Sequence, residues 1–163
     1  MELKVYTVVF FSHPTDNSVL LLRRAATKST WPNLITGIGG KVELKDGEGI
    51  DMVKSLWREV KEETMITPNI VDHLKIRLTT ILTRDYGHVV LIWCTGRLKV
   101  LPSSLSCTEG DLFFTSPDQL PESEMIPTAC QALKFLLALD DKDDRIYNGI
   151  FVLESEIKLI VNK

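Results

Sequence analysis

The stretch Gly37-Ile-Gly-Gly-Lys-Val-Glu43, followed by Arg58-Glu-Val-Lys-Glu-Glu63, decides how this chain is read. Around its second part, from about Ile50 to Met65, the residues Val53, Leu56, Trp57 and Val60 recur at the spacing of a helix with one apolar face. Pro68 cannot extend that helix. Glu59, Glu62 and Glu63 stand on it at i, i+3 and i+4, within an arc of roughly 100°. Like charges at that spacing repel by on the order of 0.2–0.5 kcal/mol per adjacent pair. The C-terminal end of a helix disfavours anions further. The cluster is either a solvated face, eased by Arg58 and Lys61, or a site for a hard divalent cation such as Mg²⁺. The upstream glycines favour the second, because a loop with few side chains can present carbonyl oxygens to a metal and let a phosphate approach.

Working outward, Val5 to Phe11 and Ser18 to Arg23 read as a β-hairpin turned at Pro14-Thr-Asp-Asn17. Ala25 to Asn33 reads as a loop, and Leu34 to Val42 as extended chain broken by glycines. Beyond the helix, Leu74–Arg84 and His88–Leu98 form a long antiparallel pair about Asp85-Tyr86-Gly87. Leu101 to Gly110 is a polar loop, Asp111 to Thr115 a short strand in which one of Phe113 and Phe114 points inward, and Thr128 to Leu139 a second amphipathic helix. A charged loop at 140–144 leads into a final strand pair from Tyr147 to Val161. This order of elements predicts an α+β domain or a helix–sheet–helix sandwich, one domain over 1–163.

Composition narrows the function. The chain has 163 residues, 44% hydrophobic and 25% charged, with a net charge of −3. That fits a folded globular protein and gives no electrostatic case for binding duplex nucleic acid. No apolar run is long enough to cross a bilayer, and the N-terminus does not resemble a secretory signal. Cys94, Cys107 and Cys130 are odd in number and lack metal spacing, as expected of a protein in a reducing cytoplasm.

The residues Gly40…Glu48…Arg58-Glu59-Val60-x-Glu62-Glu63-x-x-Ile66 resemble the signature of the Nudix hydrolases, G-x5-E-x7-R-E-U-x-E-E-x-G-U with U aliphatic. The R-E-U-x-E-E core is intact. Val5-Tyr-Thr-Val-Val9 and the run from Trp31 to Glu43 look closest to the oxidised-purine nucleoside triphosphatases, the MutT-like group. The loop before the helix carries two small insertions, near Lys45-Asp46 and near Gly49-Ile50. Met65 stands where the signature has glycine, so the helix is expected to end differently. Thr36 stands where that group commonly has the base-reading asparagine.

The resemblance implies a Nudix-type α/β/α sandwich with a mixed, curved central sheet. It implies that Glu59, Glu62 and Glu63, with the Gly39 carbonyl, ligate Mg²⁺ (or Mn²⁺), and that Glu109, with Asp111 in reserve, completes the site. Gly40 and Glu48 belong to the structural part of the signature, with Arg58 clamped on a carboxylate such as Glu48. Arg24 and Lys41 would face phosphates, Thr7 and Trp31 the base, while Tyr6 and Phe10 are core. Glu62 or Glu109 would act as general base. The implied reaction is hydrolysis of a nucleoside diphosphate linked to another group: a (deoxy)nucleoside triphosphate, with 8-oxo-dGTP one case, giving the monophosphate and pyrophosphate. ADP-ribose, a dinucleoside polyphosphate or a pterin triphosphate are the alternative substrates, and a nucleotide sensor without turnover is the alternative role. The expected partner is a small nucleotide, with no duplex nucleic acid and no membrane, acting as monomer or homodimer in the cytoplasm.

Overall fold

The computed structural model describes residues 2–44, 51–153 and 156–162. Strand β1, Glu2–Ser12, is the spine of the molecule because it is rich in residues that fit a pleated surface and is covered on both faces. Val9 and Phe11 point to one side, and Val8 and Phe10 to the other. β1 turns through His13–Ser18 into β2, Val19–Arg24. The short strands β3, Ile35–Thr36, and β4, Ile38–Lys41, pair with β2 and β1. Helix α1, Met52–Glu63, is capped by Asp51, whose carboxylate accepts the Val53 and Lys54 amides, each at 3.1 Å.

The long pair is β5, Val71–Arg84, and β6, Gly87–Leu98. β7, Ser106–Cys107, and β8, Gly110–Thr115, form a small hairpin. Helix α2, Pro127–Leu137, precedes the last hairpin, β9, Tyr147–Leu153, and β10, Ile157–Asn162. The sheet runs β10-β9-β5-β6-β1-β2-β8-β7 and is mixed: β1–β6 and β5–β9 are parallel, the other pairs antiparallel.

The helices lie on opposite faces of this sheet. Leu56 and Val60 of α1 are fully buried with Val9, Phe11, Leu20 and Ile38. Ala129, Ala132 and Leu133 of α2 pack with Phe10, Leu78, Trp93 and Phe151. This is the expected α/β/α sandwich. Phe113 and Phe114 correct the expectation that only one of them is inside: Phe113 packs on the α2 side and Phe114 on the α1 side. Both faces are covered there, so both parities of the strand are interior.

The end of α1 also follows its own rule. Thr64 leaves the helix in an extended conformation. Its hydroxyl donates to the Val60 carbonyl at 2.8 Å and accepts the Ile66 amide at 3.0 Å. No left-handed residue is needed, and Met65 takes no positive φ.

Candidate active site

Glycines set the site's floor. The Gly39 backbone has φ of 156° and passes so close to the Thr7 carbonyl that a β-carbon would collide with it. At Gly40 the space a β-carbon would need is filled by the Glu59 carboxyl group. These two positions let β4 lie directly on the acidic face of α1.

Arg58 organises that face. One guanidinium nitrogen reaches Glu59 at 2.8 Å and Glu62 at 3.1 Å, and the other donates to the Lys41 carbonyl at 2.9 Å. The expected clamp on Glu48 falls outside the described residues. Glu62 is turned onto Arg58 and is largely exposed. Among the described residues no three acidic, histidine or cysteine side chains close around one point.

Glu63 is the most unusual acid. One carboxyl oxygen is buried without a hydrogen-bond partner among the described residues. Burial, then the Glu59 carboxylate, pushes its pKa up to about 8, against the pull of Lys28 and Arg24. Burial likewise raises Glu59, opposed by Arg58. Two neighbouring, partly buried acids on one helix face, both raised in pKa, have the donor chemistry of a hard-metal site.

The β7–β8 hairpin brings the fourth acid. The Thr108 amide donates to the Glu63 carbonyl at 3.1 Å, and Thr64 bridges to Cys107. Glu109, whose carbonyl accepts the Ala25 amide at 2.9 Å, pairs through its carboxylate with Lys28. Asp111, the reserve, sits opposite Arg23 in the β2–β8 ladder and does not line the cavity.

A cavity of about 580 Å³ opens beside these acids. Glu63, Glu109, Arg24, Gly39 and Gly40 line one end, and Trp31 stands half-exposed at the rim. Trp31 and Asn33 hold φ values of 50° and 62°, strain concentrated in the loop beside the cavity. Arg24 braces that loop by donating to the Thr30 carbonyl at 3.2 Å.

Three expected positions differ. Thr7 is fully buried on the α1 side of β1 with Val9 and Phe11, so it does not reach the cavity. Its neighbour Tyr6, expected to be core, lines the cavity instead. Lys41 has its side chain exposed, and its carbonyl accepts from Arg58. The sequence reading also missed Lys28, because nothing local ties a lysine in a loop to Glu109, far along the chain.

No curated protein matches the chain in sequence. Among solved structures, the mutator MutT protein from Bacillus halodurans superposes with a TM-score of 0.68 at 20% identity, over 98% of this chain and 97% of that one. A NUDIX hydrolase from Nitrosomonas europaea gives 0.65 at 17% identity, covering 90% of this chain and 77% of that one. The NUDIX domain of Shewanella oneidensis NrtR, complexed with ADP ribose, gives 0.59 at 18% identity over 83% and 85%. At these identities the likeness establishes the fold. No helix among the described residues is long and apolar enough to cross a membrane. The NUDIX domain profile matches residues 3–132, and with the intact acidic helix and its glycine floor this places the chain in the NUDIX family, as a pyrophosphohydrolase.

Proposed function

We propose that this protein hydrolyses a nucleoside triphosphate to the monophosphate and pyrophosphate with the help of Mg²⁺, or Mn²⁺ in its place. The observation that carries this reading is the buried carboxyl oxygen of Glu63, unpartnered among the described residues, beside Glu59 and a cavity that also holds Arg24. A buried carboxylate without a partner is costly, and a divalent cation relieves that cost.

Glu59, Glu63 and Glu109 would hold the ion, with the Gly39 carbonyl and, once released from Arg58, Glu62. A bound ion supplies charge to neutralise phosphate oxygens and to acidify an attacking water. The remaining work belongs to the chain's own groups. Arg24, which lines the cavity, and Lys28, whose charge also reaches Glu63, would orient the phosphates. Arg58 fixes the rotamers of Glu59 and Glu62. Glu109 lies on the cavity wall and Glu62 does not, so Glu109 is the better placed to take the proton from water.

The test is pyrophosphate release from a panel of nucleoside and deoxynucleoside triphosphates, 8-oxo-dGTP included, with ADP-ribose and dinucleoside polyphosphates alongside. Mg²⁺-dependent release of pyrophosphate, reduced at least about 100-fold in Glu59→Gln and Glu63→Gln, supports the reading. Cleavage confined to ADP-ribose would redirect it to the ligand type held by the Shewanella oneidensis NUDIX domain. Tight nucleotide binding without turnover would make the protein a sensor.

A further inference from the structure

The cavity has a second, chemically different end. Successive rows of the sheet form its floor, and strand register ranks them. Val8 stands beside Trp93, Tyr6 beside Leu91, and Lys4 beside Val89, which itself lies opposite Leu82. One row further, Arg84 lies opposite Gly87. Gly39 pairs with Val8, so it marks the acidic end. Lys4 is four residues further along the same face, about 13 Å at the rise of a strand. Along that path the floor passes from apolar and aromatic side chains to two cations.

Both cations line the cavity. The Arg84 side chain has no hydrogen bond or ion pair among the described residues. Among the described residues Lys4 pairs only with Glu2, at 3.5 Å and on the surface, where such a pair is worth little. Gly87 contributes no side chain between Arg84 and the cavity floor. Neither cation is consumed by the fold.

We propose that Arg84, assisted by Lys4, reads the outer edge of the base and selects a 6-oxopurine over a 6-aminopurine. This inference rests on the reading above, in which the phosphates lie at the end holding Glu63 and Arg24. A planar ring then fills the apolar middle between Leu91, Trp93 and Ala129, and its far edge meets the cations. A guanidinium fork has only donors. It matches the adjacent carbonyl and ring-nitrogen acceptors of guanine or hypoxanthine. Adenine keeps the ring-nitrogen acceptor but turns an amino donor to the other arm of the fork, leaving that arm and the amine both unpaired, which is the stronger source of discrimination.

ITP and ATP isolate the 6-position, and UTP gives a baseline without a purine. The wild type is expected to favour ITP over ATP in kcat/KM by on the order of tenfold or more. Arg84→Met should bring that ratio to within about twofold of unity through a fall in the ITP value, Lys4→Met should lower it partially, and Arg84→Lys should recover part of it. Equal use of ITP and ATP by the wild type overturns the assignment, as does a ratio that survives Arg84→Met. In either case hydrolysis itself still stands. If no nucleotide is hydrolysed, the proposed function fails instead, and the edge is tested by calorimetry with IMP and AMP. Preferential IMP binding lost in Arg84→Met supports the assignment, and equal or absent binding of the two rejects it.

Discussion

The carboxyl group of Glu59 occupies the space that a β-carbon at Gly40 would need. The two residues come from different elements, so their contact fixes how far β4 stands from α1. In Gly40→Ala the glutamate end can rotate away, so the fold should lose less than about 1 kcal/mol. The displaced carboxylate should nevertheless raise the Mg²⁺ concentration needed for half-maximal activity by about 10- to 100-fold. Gly39→Ala should behave differently, because its β-carbon meets the Thr7 carbonyl at φ 156° and nothing flexible can give way. Its destabilisation should exceed about 1 kcal/mol. Urea melts and Mg²⁺ titrations of both variants separate the two effects. A Gly40→Ala protein with unaltered metal demand would show that Glu59 has no part in binding the ion.

The elevated Glu63 acid gives the metal-free protein a definite pH response. Its pKa rises from 4.5 to about 8 on folding, mainly through burial. The folded state therefore holds a proton that the unfolded chain has released, and stability falls as pH rises between these values. The benefit is whole below about pH 4.5 and gone above about pH 8. In EDTA, Tm of the wild type should drop between pH 5 and 8.5 relative to Glu63→Gln, whose amide does not titrate. Parallel curves for the two proteins would contradict the shift.

Much of this architecture is visible in residue spacing. The helix from Asp51 announces itself through Leu56 and Val60, and the long strands through their branched residues. Which face of a strand serves the site is less legible. Thr7 and Tyr6 have the right periodicity for opposite sides of β1, but the sheet is buried on both faces, so alternation carries no sign. The parallel pairing of β1 with β6 is equally silent in the sequence, yet it lines Lys4, Tyr6 and Val8 along the cavity floor. The same is true of Lys28, which meets Glu109 only because the Ala25 amide binds the Glu109 carbonyl. Local chemistry identified the acids, and non-local pairing decided what they face.

Lys28 is predicted to matter for substrate and little for the fold. Its partnership with Glu109 is partly solvent-exposed, so Lys28→Ala should cost less than about 1 kcal/mol in stability. Losing a charged donor to phosphate should lower kcat/KM by about 10- to 100-fold. Urea melts and steady-state kinetics of the variant measure the two quantities. Wild-type kinetics in the variant would leave Lys28 as a loop tether alone.

The end of α1 yields the last prediction. The family signature has glycine at position 65, yet here Thr64 completes the turn by bonding both Val60 and Ile66. Thr64→Val preserves the shape and removes the hydroxyl, leaving the buried Ile66 amide without its partner. That change should cost about 1–2 kcal/mol. It should also loosen the strand-like contact from Thr64 to Cys107, and with it the placing of Glu109. Met65→Gly, which restores the signature, should bring no benefit, since residue 65 has no positive φ to relieve. It should instead lose about 0.4–1 kcal/mol through greater freedom of the unfolded chain. Urea denaturation of the two variants decides the matter: a stabilised Met65→Gly protein would mean that the helix strains toward a left-handed end which Thr64 only partly replaces.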